Sequence, residues 1–527
     1  MNKTNKNKSY INILLGLFIF VIACSLFSYL QFNKNNPYLS QGDSFYHVKM
    51  AELIRDQGIP QEFPWLHFTA LRDNFVDHQL FFHIALIPFI TIFGSILGAK
   101  IFEVAIISLV FVLMFIILKQ QKIKGAFLFT ILTLFTMPAD FYYRMSSIRD
   151  IGLSLLFILT GLYCLFKNKP LALGITCFLY VWAYGGFMFL PILAMLYFVI
   201  ELLISKKYAW KILLFATSGM ILGFIINPYF SKNLDFLFSQ IFQTGLGAKE
   251  YTGGEWRPYD TWFWVKTNYL PLIIFSSGIF ISFIKNVKQN TKTLTLFILA
   301  IIFLVLQWKS KRFVEYCPFF LTMSGFLLLK PFLNERIDEF KNKTFFKKNE
   351  KYFYLSTFVI FIFLAIFFSI TQIESAREDT KTDFSMSAIQ KVHDYLKEFS
   401  AEGDIVFTDD WDVFPLYFFI NSKNYYLVGL DPEFMNQYQG VPYEGEKEKL
   451  YQEFAAISSG KDSSNLERIK NHFQAKWIIV KKDHPNFYKN LKSKPSLFQE
   501  ILFATNDSSI DNYSGAFDDG YYLFKVL

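Results

Sequence analysis

The sequence predicts a mainly α-helical protein, in which a polytopic helical membrane domain precedes a small α/β domain outside the membrane. Hydrophobic residues make up 53% of the 527 residues, 65 residues are Phe, and the mean hydropathy is +0.29, which is typical of an integral membrane protein. About twelve apolar segments recur up to residue 371, and a pattern of short helices and strands follows. We therefore expect a membrane domain over residues 1–371 and an extracytoplasmic domain over 372–527.

The first apolar segment, Ile11–Leu30, carries no charge and is long enough to cross a bilayer. Its flank is basic, as in a signal peptide, but no small-x-small cleavage site follows it. We therefore expect an uncleaved first membrane span.

The remaining apolar segments are assigned with the positive-inside rule. All segments lie at about 11–30, 80–97, 100–118, 125–139, 151–166, 170–184, 186–204, 211–228, 269–285, 293–308, 313–329 and 353–371. If all of them crossed, the basic loops near 119–124 and 330–351 would face outward, against the rule. If segment 80–97, which contains His83 and Pro88, instead lies along the interface, these loops become cytoplasmic. The sequence thus predicts about eleven spans in the cytoplasmic membrane, with the N-terminus inside and the C-terminus outside.

The C-terminal domain follows a different pattern. Helices are expected at about 386–400 and 446–473, and strands at 404–408, 425–429, 477–481 and about 521–526, which is typical of a small α/β domain. All four cysteines lie in or beside apolar segments, so we expect no disulfide framework. The net charge of +8 is concentrated in connecting loops and indicates membrane orientation, with no nucleic-acid partner.

Several outward-facing loops carry carboxylates. Asp43 follows the first span at the depth of lipid phosphates, and Asp150 directly precedes an apolar helix. Each could simply cap a helix, and Asp150 could also bind a divalent cation. Glu250 and Glu255 flank two glycines, as in a loop that closes over a substrate, although a plain solvated loop has the same composition.

Cations also occur on the outer face. Lys309, Lys311 and Arg312 break the positive-inside rule, and an anionic ligand would explain their position; for Arg312 the alternative is interfacial snorkelling. Arg144 and Arg149 precede Asp150 and could pair with it. No nucleophile-elbow, zincin, Walker or Rossmann motif occurs, and the seven histidines show no zinc-ligand spacing. For His78 and His83 we expect an interfacial position.

In their order, these parts resemble the GT-C superfamily of lipid-linked sugar transferases, and in particular the catalytic subunit of oligosaccharyltransferase. The residues that carry the resemblance are Gly42–Tyr46, the interfacial segment 80–97, Tyr143–Asp150, Glu250–Tyr259, Arg312–Phe313, Asp409–Asp412 and Asn421–Asp431. The chain departs from the family pattern in two places. Gly152 stands where a second acid is expected, and the C-terminal motif lacks its glycine and double tryptophan.

The resemblance implies a role for each candidate residue. Asp43 would be the catalytic base or the acid that orients the acceptor. Mg²⁺ or Mn²⁺ would be held by Asp43, Asp150, Glu255 and Glu250. The donor phosphate would be bound by Arg312, Arg144 and Arg149, and the acceptor by Trp411, Asp412 and Asp410. The implied partners are a polyprenyl-linked sugar donor, a protein, lipid or glycan acceptor, and membrane lipid.

Two alternatives remain at this stage. The first is a GT-C enzyme that uses a monosaccharide polyprenyl phosphate to modify a lipid, a glycan, or Ser, Thr or Trp of a protein. The second is a lipid or solute transporter, which would place charges near the middle of its spans. Most predicted spans lack such charges, and Glu103 lies near a helix end.

Overall fold

The computed structural model describes residues 3–32, 38–239, 254–342, 363, 367–381, 385–438, 440, 447–505 and 520–527. Up to residue 342 the described chain is helical. The α-helices are Lys3–Gln31, Gly42–Gln57, Leu80–Phe93, Ser95–Gln120, Ala126–Phe135, Ala139–Ser146, Ile151–Phe166, Pro170–Ala183, Phe189–Ser205, Trp210–Ile225, Lys232–Ser239, Thr261–Ile284, Thr291–Lys309 and Cys317–Asn342. Two 3₁₀ helices, Gly254–Trp256 and Lys311–Glu315, lie among them.

Within the described residues, five helices are long and apolar enough to cross a membrane. They are Tyr10–Gln31, Ser95–Gln120, Thr261–Ile284, Thr291–Lys309 and Cys317–Asp338. The helices Ala126–Phe135 and Ala139–Ser146 make a sixth candidate if they count as one span with a 91° bend. Five further apolar helices have 10–17 residues: Leu80–Phe93, Ile151–Phe166, Pro170–Ala183, Phe189–Ser205 and Trp210–Ile225. A multi-pass membrane protein is therefore supported, whereas the count of about eleven spans stays a prediction, and most of segment 353–371 lies outside the described residues.

Two of the predicted apolar segments each contain a turn between two helices, at a glycine in one and before a proline in the other. Segment 80–97 turns at Gly94, whose φ of 82° is in the left-handed region that favours glycine. Its last residues therefore belong to the helix Ser95–Gln120. Segment 125–139 ends as a helix at Phe135, and the chain turns before Pro138 because the residue before a proline disfavours helical backbone.

The C-terminal domain contains one five-stranded mixed sheet. The strands are β1 (Ile405–Thr408), β2 (Tyr425–Tyr426), β3 (Trp477–Lys481), β4 (Phe498–Thr505) and β5 (Gly520–Val526), in the order β2-β1-β3-β5-β4. Strand β1 runs parallel to β2 and β3, whereas β5 is antiparallel to β3 and β4. The helices are Met386–Phe399, Phe414–Ile420, Glu433–Asn436, Lys447–Ser458, Glu467–Asn471 and Pro485–Lys492.

The predicted α/β domain is confirmed, but several of its elements differ from those expected. The helices Phe414–Ile420, Glu433–Asn436 and Pro485–Lys492 were not expected from the sequence. Strand β2 is shorter than the expected 425–429, and β4 was not expected from the sequence. A helical stretch over residues 367–379 also runs across the predicted domain boundary at 371, so that division of the chain stays a prediction.

The first outer segment joins the membrane part to this sheet. Leu66 forms a parallel bridge with Tyr426, and the backbone N–H of Phe68 donates to the carbonyl of Leu427 at 3.1 Å. The indole Nε1 of Trp65 donates to the carbonyl of Ser422 at 2.7 Å. These contacts fix strand β2 and its flanking residues against the first outer segment.

Candidate active site

A cavity of about 260 Å³ lies where the outer segments meet the C-terminal domain. Its polar and aromatic lining comes from separate parts of the chain: Gln41, Asp43, Tyr46, His47, Phe75, His78, Gln79, Arg149, Phe236, Glu255, Trp256, Arg312, Trp411, Asp412, Asp431 and Phe434. The three outer loops that the sequence singled out thus converge with the C-terminal motif on one site.

Asp43 lies in the first turn of the helix Gly42–Gln57, where a negative charge is favourable. The helix cap is Gln41, so the alternative role of Asp43 as a cap does not apply. Its side chain is 40% exposed, and its Oδ2 lies 3.0 Å from Nη2 of Arg149. Asp43 therefore presents a carboxylate to the cavity beside a fixed positive charge.

Glu255 is surrounded by arginines. Its Oε2 lies 2.7 Å from Nη1 of Arg144 and 3.4 Å from Nη1 of Arg149, and its Oε1 lies 3.6 Å from Nη1 of Arg312. Burial opposes its ionisation, but the charges of Arg149, Arg312 and Arg144 prevail and hold the pKa of Glu255 well below its usual value. Glu255 is thus an ionised anchor for the arginines.

The three arginines differ in their surroundings. In the described part of the chain, Arg144 is not among the cavity-lining residues, and its Nε donates to Glu315 at 2.6 Å. Arg149 joins Asp43 to Glu255. Arg312 packs over the ring of Trp256, with 4.9 Å between the guanidinium carbon and the ring centroid. Arg149 and Arg312 are therefore the cations that face the cavity.

Asp150 lies one layer behind the cavity wall. It is buried, and its Oδ2 accepts a hydrogen bond of 2.9 Å from Nε2 of Gln79, a cavity-lining residue. Burial raises the pKa of Asp150 to about 6, against the effects of the Gln79 hydrogen bond and the Arg149 charge. Asp150 begins the helix Ile151–Phe166 as predicted, but its side chain makes no capping hydrogen bond.

A buried acid that sequence reasoning did not assign lies beside Asp150. A Cβ placed on Gly152 would lie 2.6 Å from Oε1 of Glu103, so the missing side chain at 152 leaves the space that the Glu103 carboxyl occupies. Among the described residues, neither oxygen of Glu103 has a hydrogen-bond partner. Glu103 was expected near a helix end, but the helix Ser95–Gln120 begins well before it. A single acid inside an apolar helix is typical of a functional residue.

Within the C-terminal domain, Trp411 and Asp412 line the cavity. Asp410 instead organises its own loop, since its Oδ1 accepts from the backbone N–H of Trp411 at 2.6 Å. Asp431, to which no role was assigned from sequence, also lines the cavity, and burial raises its pKa to about 6.

One group of potential metal ligands is found in the part of the chain that the structure describes. Asp409, Asp483 and His484 offer ligand atoms that all lie within 4.8 Å of one another. Asp409 follows β1, and the other two follow β3. Because β1 and β3 are parallel neighbours, their carboxyl ends meet at the same edge of the sheet.

The carboxylates predicted to hold a metal do not form such a group among the described residues. Asp43 and Glu255 are joined by Arg149, and Asp150 is bound to Gln79. Glu250 lies outside the described residues. His83 is fully buried, and His78 lines the cavity with its ring 5.1 Å from that of Phe236. The interfacial position expected for both histidines stays a prediction.

No protein-family model matches the sequence, and no curated protein sequence matches it. Solved structures do match the fold. The archaeal oligosaccharyltransferase AglB from Archaeoglobus fulgidus, in complex with an inhibitory peptide and a dolichol-phosphate, has a TM-score of 0.67 at 11% identity over 93% of this chain and 73% of that chain. An Archaeoglobus fulgidus oligosaccharyltransferase in complex with Zn and sulfate has a TM-score of 0.59 at 12% identity over 90% and 69%.

A further match is ArnT from Cupriavidus metallidurans bound to undecaprenyl phosphate, with a TM-score of 0.54 at 12% identity over 98% of both chains. AglB and ArnT are GT-C membrane glycosyltransferases, so this chain has a fold similar to that class. At these identities the likeness concerns the fold.

Proposed function

We propose that this protein is a membrane glycosyltransferase that moves a sugar or oligosaccharide from a polyprenyl-(di)phosphate donor to an acceptor on the extracytoplasmic face. The observation that carries the proposal is the convergence of Asp43, Arg149 and Arg312 from three outer segments on one cavity under the C-terminal domain. The relatives were solved with dolichol-phosphate and undecaprenyl phosphate, which supports a lipid phosphate as the donor class.

The positive charges of the cavity arginines can stabilise the phosphate leaving group. Transfer breaks the bond between the anomeric carbon and the phosphate oxygen, and the electron pair leaves with the phosphate. Arg312 and Arg149 are held in place by Glu255 and face the cavity, so they can stabilise this charge without reorganising. Guanidinium groups also match phosphate oxygens through paired hydrogen bonds.

Asp43 can interact with the nucleophile of the acceptor. Its carboxylate reaches the cavity and can accept a hydrogen bond from the nucleophile of the acceptor, as its base or as the acid that orients it. Attack from the face opposite the phosphate would invert the anomeric centre. Trp411 and Asp412, on the cavity wall formed by the C-terminal domain, would contact the acceptor.

The predicted Mg²⁺ or Mn²⁺ does not fit the cavity carboxylates Asp43 and Glu255 as these side chains are paired. A divalent cation needs several free oxygens around one point. The Glu255 carboxylate is occupied by arginines on both oxygens, and Asp43 is paired with Arg149. We therefore assign the neutralisation of the leaving group to Arg149 and Arg312.

A second candidate uses a monosaccharide polyprenyl phosphate as donor. It is favoured by the ArnT match, which covers 98% of both chains, whereas the AglB match leaves part of AglB uncovered. A transfer assay that offers the same sugar on a lipid monophosphate and on a lipid diphosphate separates the two. Turnover of the diphosphate alone supports the oligosaccharyltransferase-like activity, and turnover of the monophosphate alone supports the second candidate.

The central test is Asp43→Asn. We expect transfer to fall by about 100-fold or more, because the amide can neither accept the proton nor hold the nucleophile as the carboxylate does. Asp73→Asn is the matched control, since Asp73 lies in the same outer segment with a 72% exposed side chain. Thermal unfolding in detergent checks that both variants fold. Transfer by Asp43→Asn at the level of Asp73→Asn would contradict the role of Asp43.

A further inference from the structure

Three buried side chains form a continuous hydrogen-bonded chain that ends at the cavity. Oδ2 of Asp77 lies 2.7 Å from Nδ1 of His83, and Nε2 of His83 lies 2.9 Å from Nδ1 of His47. All three side chains are almost completely buried. Asp77 precedes the helix Leu80–Phe93 that carries His83, whereas His47 comes from Gly42–Gln57.

The chemistry of these groups determines where the protons lie. An ionised Asp77 can only accept, so Nδ1 of His83 carries the proton. Nε2 of a neutral His83 is then an acceptor, and Nδ1 of His47 must donate to it. This leaves Nε2 of His47 with a free lone pair.

That lone pair belongs to a residue of the proposed active site. His47 lines the cavity, and among the described residues its Nε2 has no hydrogen-bond partner. His47 follows Asp43 by four residues on the same helix, and residues at this spacing share a helix face. The lone pair of His47 and the carboxylate of Asp43 therefore lie on the same side of the cavity.

The surroundings keep His47 neutral before reaction. Burial lowers the pKa of His47, and the positive charge of Arg149 acts in the same direction. Of the nearby carboxylates, Asp77 is bonded to His83, and Asp43 lines the same cavity as His47. A proton that reaches His47 during the reaction is thus balanced by Asp77 through His83.

We propose that His47 is a catalytic proton acceptor of the transferase, and that Asp77 and His83 are positioning residues that keep its Nε2 unprotonated. The inference rests on the proposed function. As the acceptor oxygen or nitrogen bonds to the anomeric carbon, its proton passes to Nε2 of His47. The bond from that carbon to the phosphate oxygen breaks, its electron pair leaves with the phosphate, and Asp43 orients the nucleophile.

Asp77→Asn tests the direction of the hydrogen bonds. Oδ1 of Asp77 accepts from the backbone N–H of Gln79 at 3.0 Å. Because that donor requires an oxygen, the asparagine would turn its amide N–H₂ toward Nδ1 of His83. His83 would then carry its proton on Nε2 and donate to His47, whose own proton would move to Nε2. The cavity would face a donor in place of an acceptor, at almost unchanged shape.

The experiment compares wild type, Asp77→Asn, His47→Asn and the remote control His472→Asn. Histidine ¹⁵N NMR in detergent, with His47→Asn to assign the signal, reads the protonation of His47 Nε2. Transfer kinetics with a lipid-linked sugar are measured on the same samples. We expect an unprotonated Nε2 in wild type and a protonated one in Asp77→Asn. In Asp77→Asn and His47→Asn, kcat should fall by about 100-fold, with KM for the donor within about threefold and His472→Asn unchanged.

The two readouts separate this inference from the proposed function. A wild-type His47 with a protonated Nε2, or Asp77→Asn and His47→Asn variants with kcat within about threefold of wild type, would overturn the relay while leaving transferase activity established. A wild type that folds but turns over no lipid-linked sugar would overturn the proposed function and the catalytic role of His47 with it. A kcat lost equally in His472→Asn would show a general structural effect and would also count against the relay.

Discussion

Arg312 is the cation of the cavity that has the weakest link to a carboxylate. Its Nη1 lies 3.6 Å from Glu255, whereas Arg149 contacts both Glu255 and Asp43. Its guanidinium also packs on the ring of Trp256. This arrangement leaves its remaining N–H groups available to a phosphate.

Arg312→Lys should therefore weaken binding of the donor more than it slows chemistry. A lysine keeps the charge but loses the planar stacking and the paired hydrogen bonds, so we expect KM for the lipid-linked donor to rise about tenfold. The matched control is Lys311→Gln at the neighbouring position, where the ammonium packs over Tyr259. An equal rise in both variants would indicate a general disturbance of this segment and would contradict a specific role of the Arg312 guanidinium.

Asp431 predicts a pH dependence of donor binding. Burial raises its pKa to about 6, and the nearby charges of Glu433 and Glu255 act in the same direction. The side chain is neutral below this pH and negative above it, so it repels an anionic donor only at the higher pH. We expect the Kd for a polyprenyl phosphodiester to rise several-fold between pH 5 and 7.5.

Asp431→Asn should flatten that dependence, because the amide stays neutral throughout. The change in Kd that remains in this variant would report on Asp150, whose pKa is also about 6. Isothermal titration calorimetry at a series of pH values measures the Kd of the wild type and of Asp431→Asn. A steep dependence that persists unchanged in Asp431→Asn would exclude Asp431 as its source.

At the scale of elements, two short apolar helices pack through glycines. A Cβ on Gly219 of Trp210–Ile225 would lie 2.0 Å from the carbonyl oxygen of Gly174 in Pro170–Ala183. This backbone-to-backbone approach is typical of helices that associate within a membrane. The close approach supports a position of both helices within the membrane, although each is shorter than a full span.

Gly219→Ala should separate this helix pair. The added methyl meets backbone, which cannot move aside, so we expect a loss of about 1–3 kcal/mol in the free energy of unfolding. Gly16→Ala is the control, since its Cβ would meet only Val112 at 3.8 Å, an ordinary contact. The thermal stability of the two variants in detergent is compared. Equal stability would contradict the close approach.

An aromatic cluster packs the C-terminal domain against the first outer segment and so connects the two parts of the molecule. The ring centroid of Phe418 lies 5.3 Å from that of Phe63, 5.1 Å from Trp65 and 5.2 Å from Phe414. Because Phe418 lies on the helix that follows Trp411 and Asp412, this cluster positions their wall of the cavity.

Phe418→Ala should weaken both stability and transfer. Removal of a fully buried phenyl ring typically costs about 3–5 kcal/mol, and the cavity wall would lose its support. Phe399→Ala, at a position that is largely exposed, serves as the control. Limited proteolysis monitors release of the C-terminal domain, and a transfer assay monitors the site. Wild-type protease resistance and activity in Phe418→Ala would show that the domain is held by other contacts.

Features that depend on local composition can be predicted from the amino-acid sequence alone. Apolar runs must lie in lipid, so the helical membrane part and the α/β pattern of the C-terminal domain could be predicted. The outward face of Asp43, Asp150 and Glu255, inferred from loop charges, stays a prediction. Strand β4 was missed because its burial depends on pairing with β5, a partner that local pattern does not identify.

Only the tertiary structure decided which side chains meet. Arg149 pairs with Asp43 and Glu255, and His47 pairs with His83. These partners are distant in sequence, and a local sequence pattern does not show that they meet. The same packing pairs Asp43 and Glu255 with arginines and brings Glu103 into the space beside Gly152. The physical reason is that these contacts join segments far apart in sequence, and their distances are set by how the helices pack.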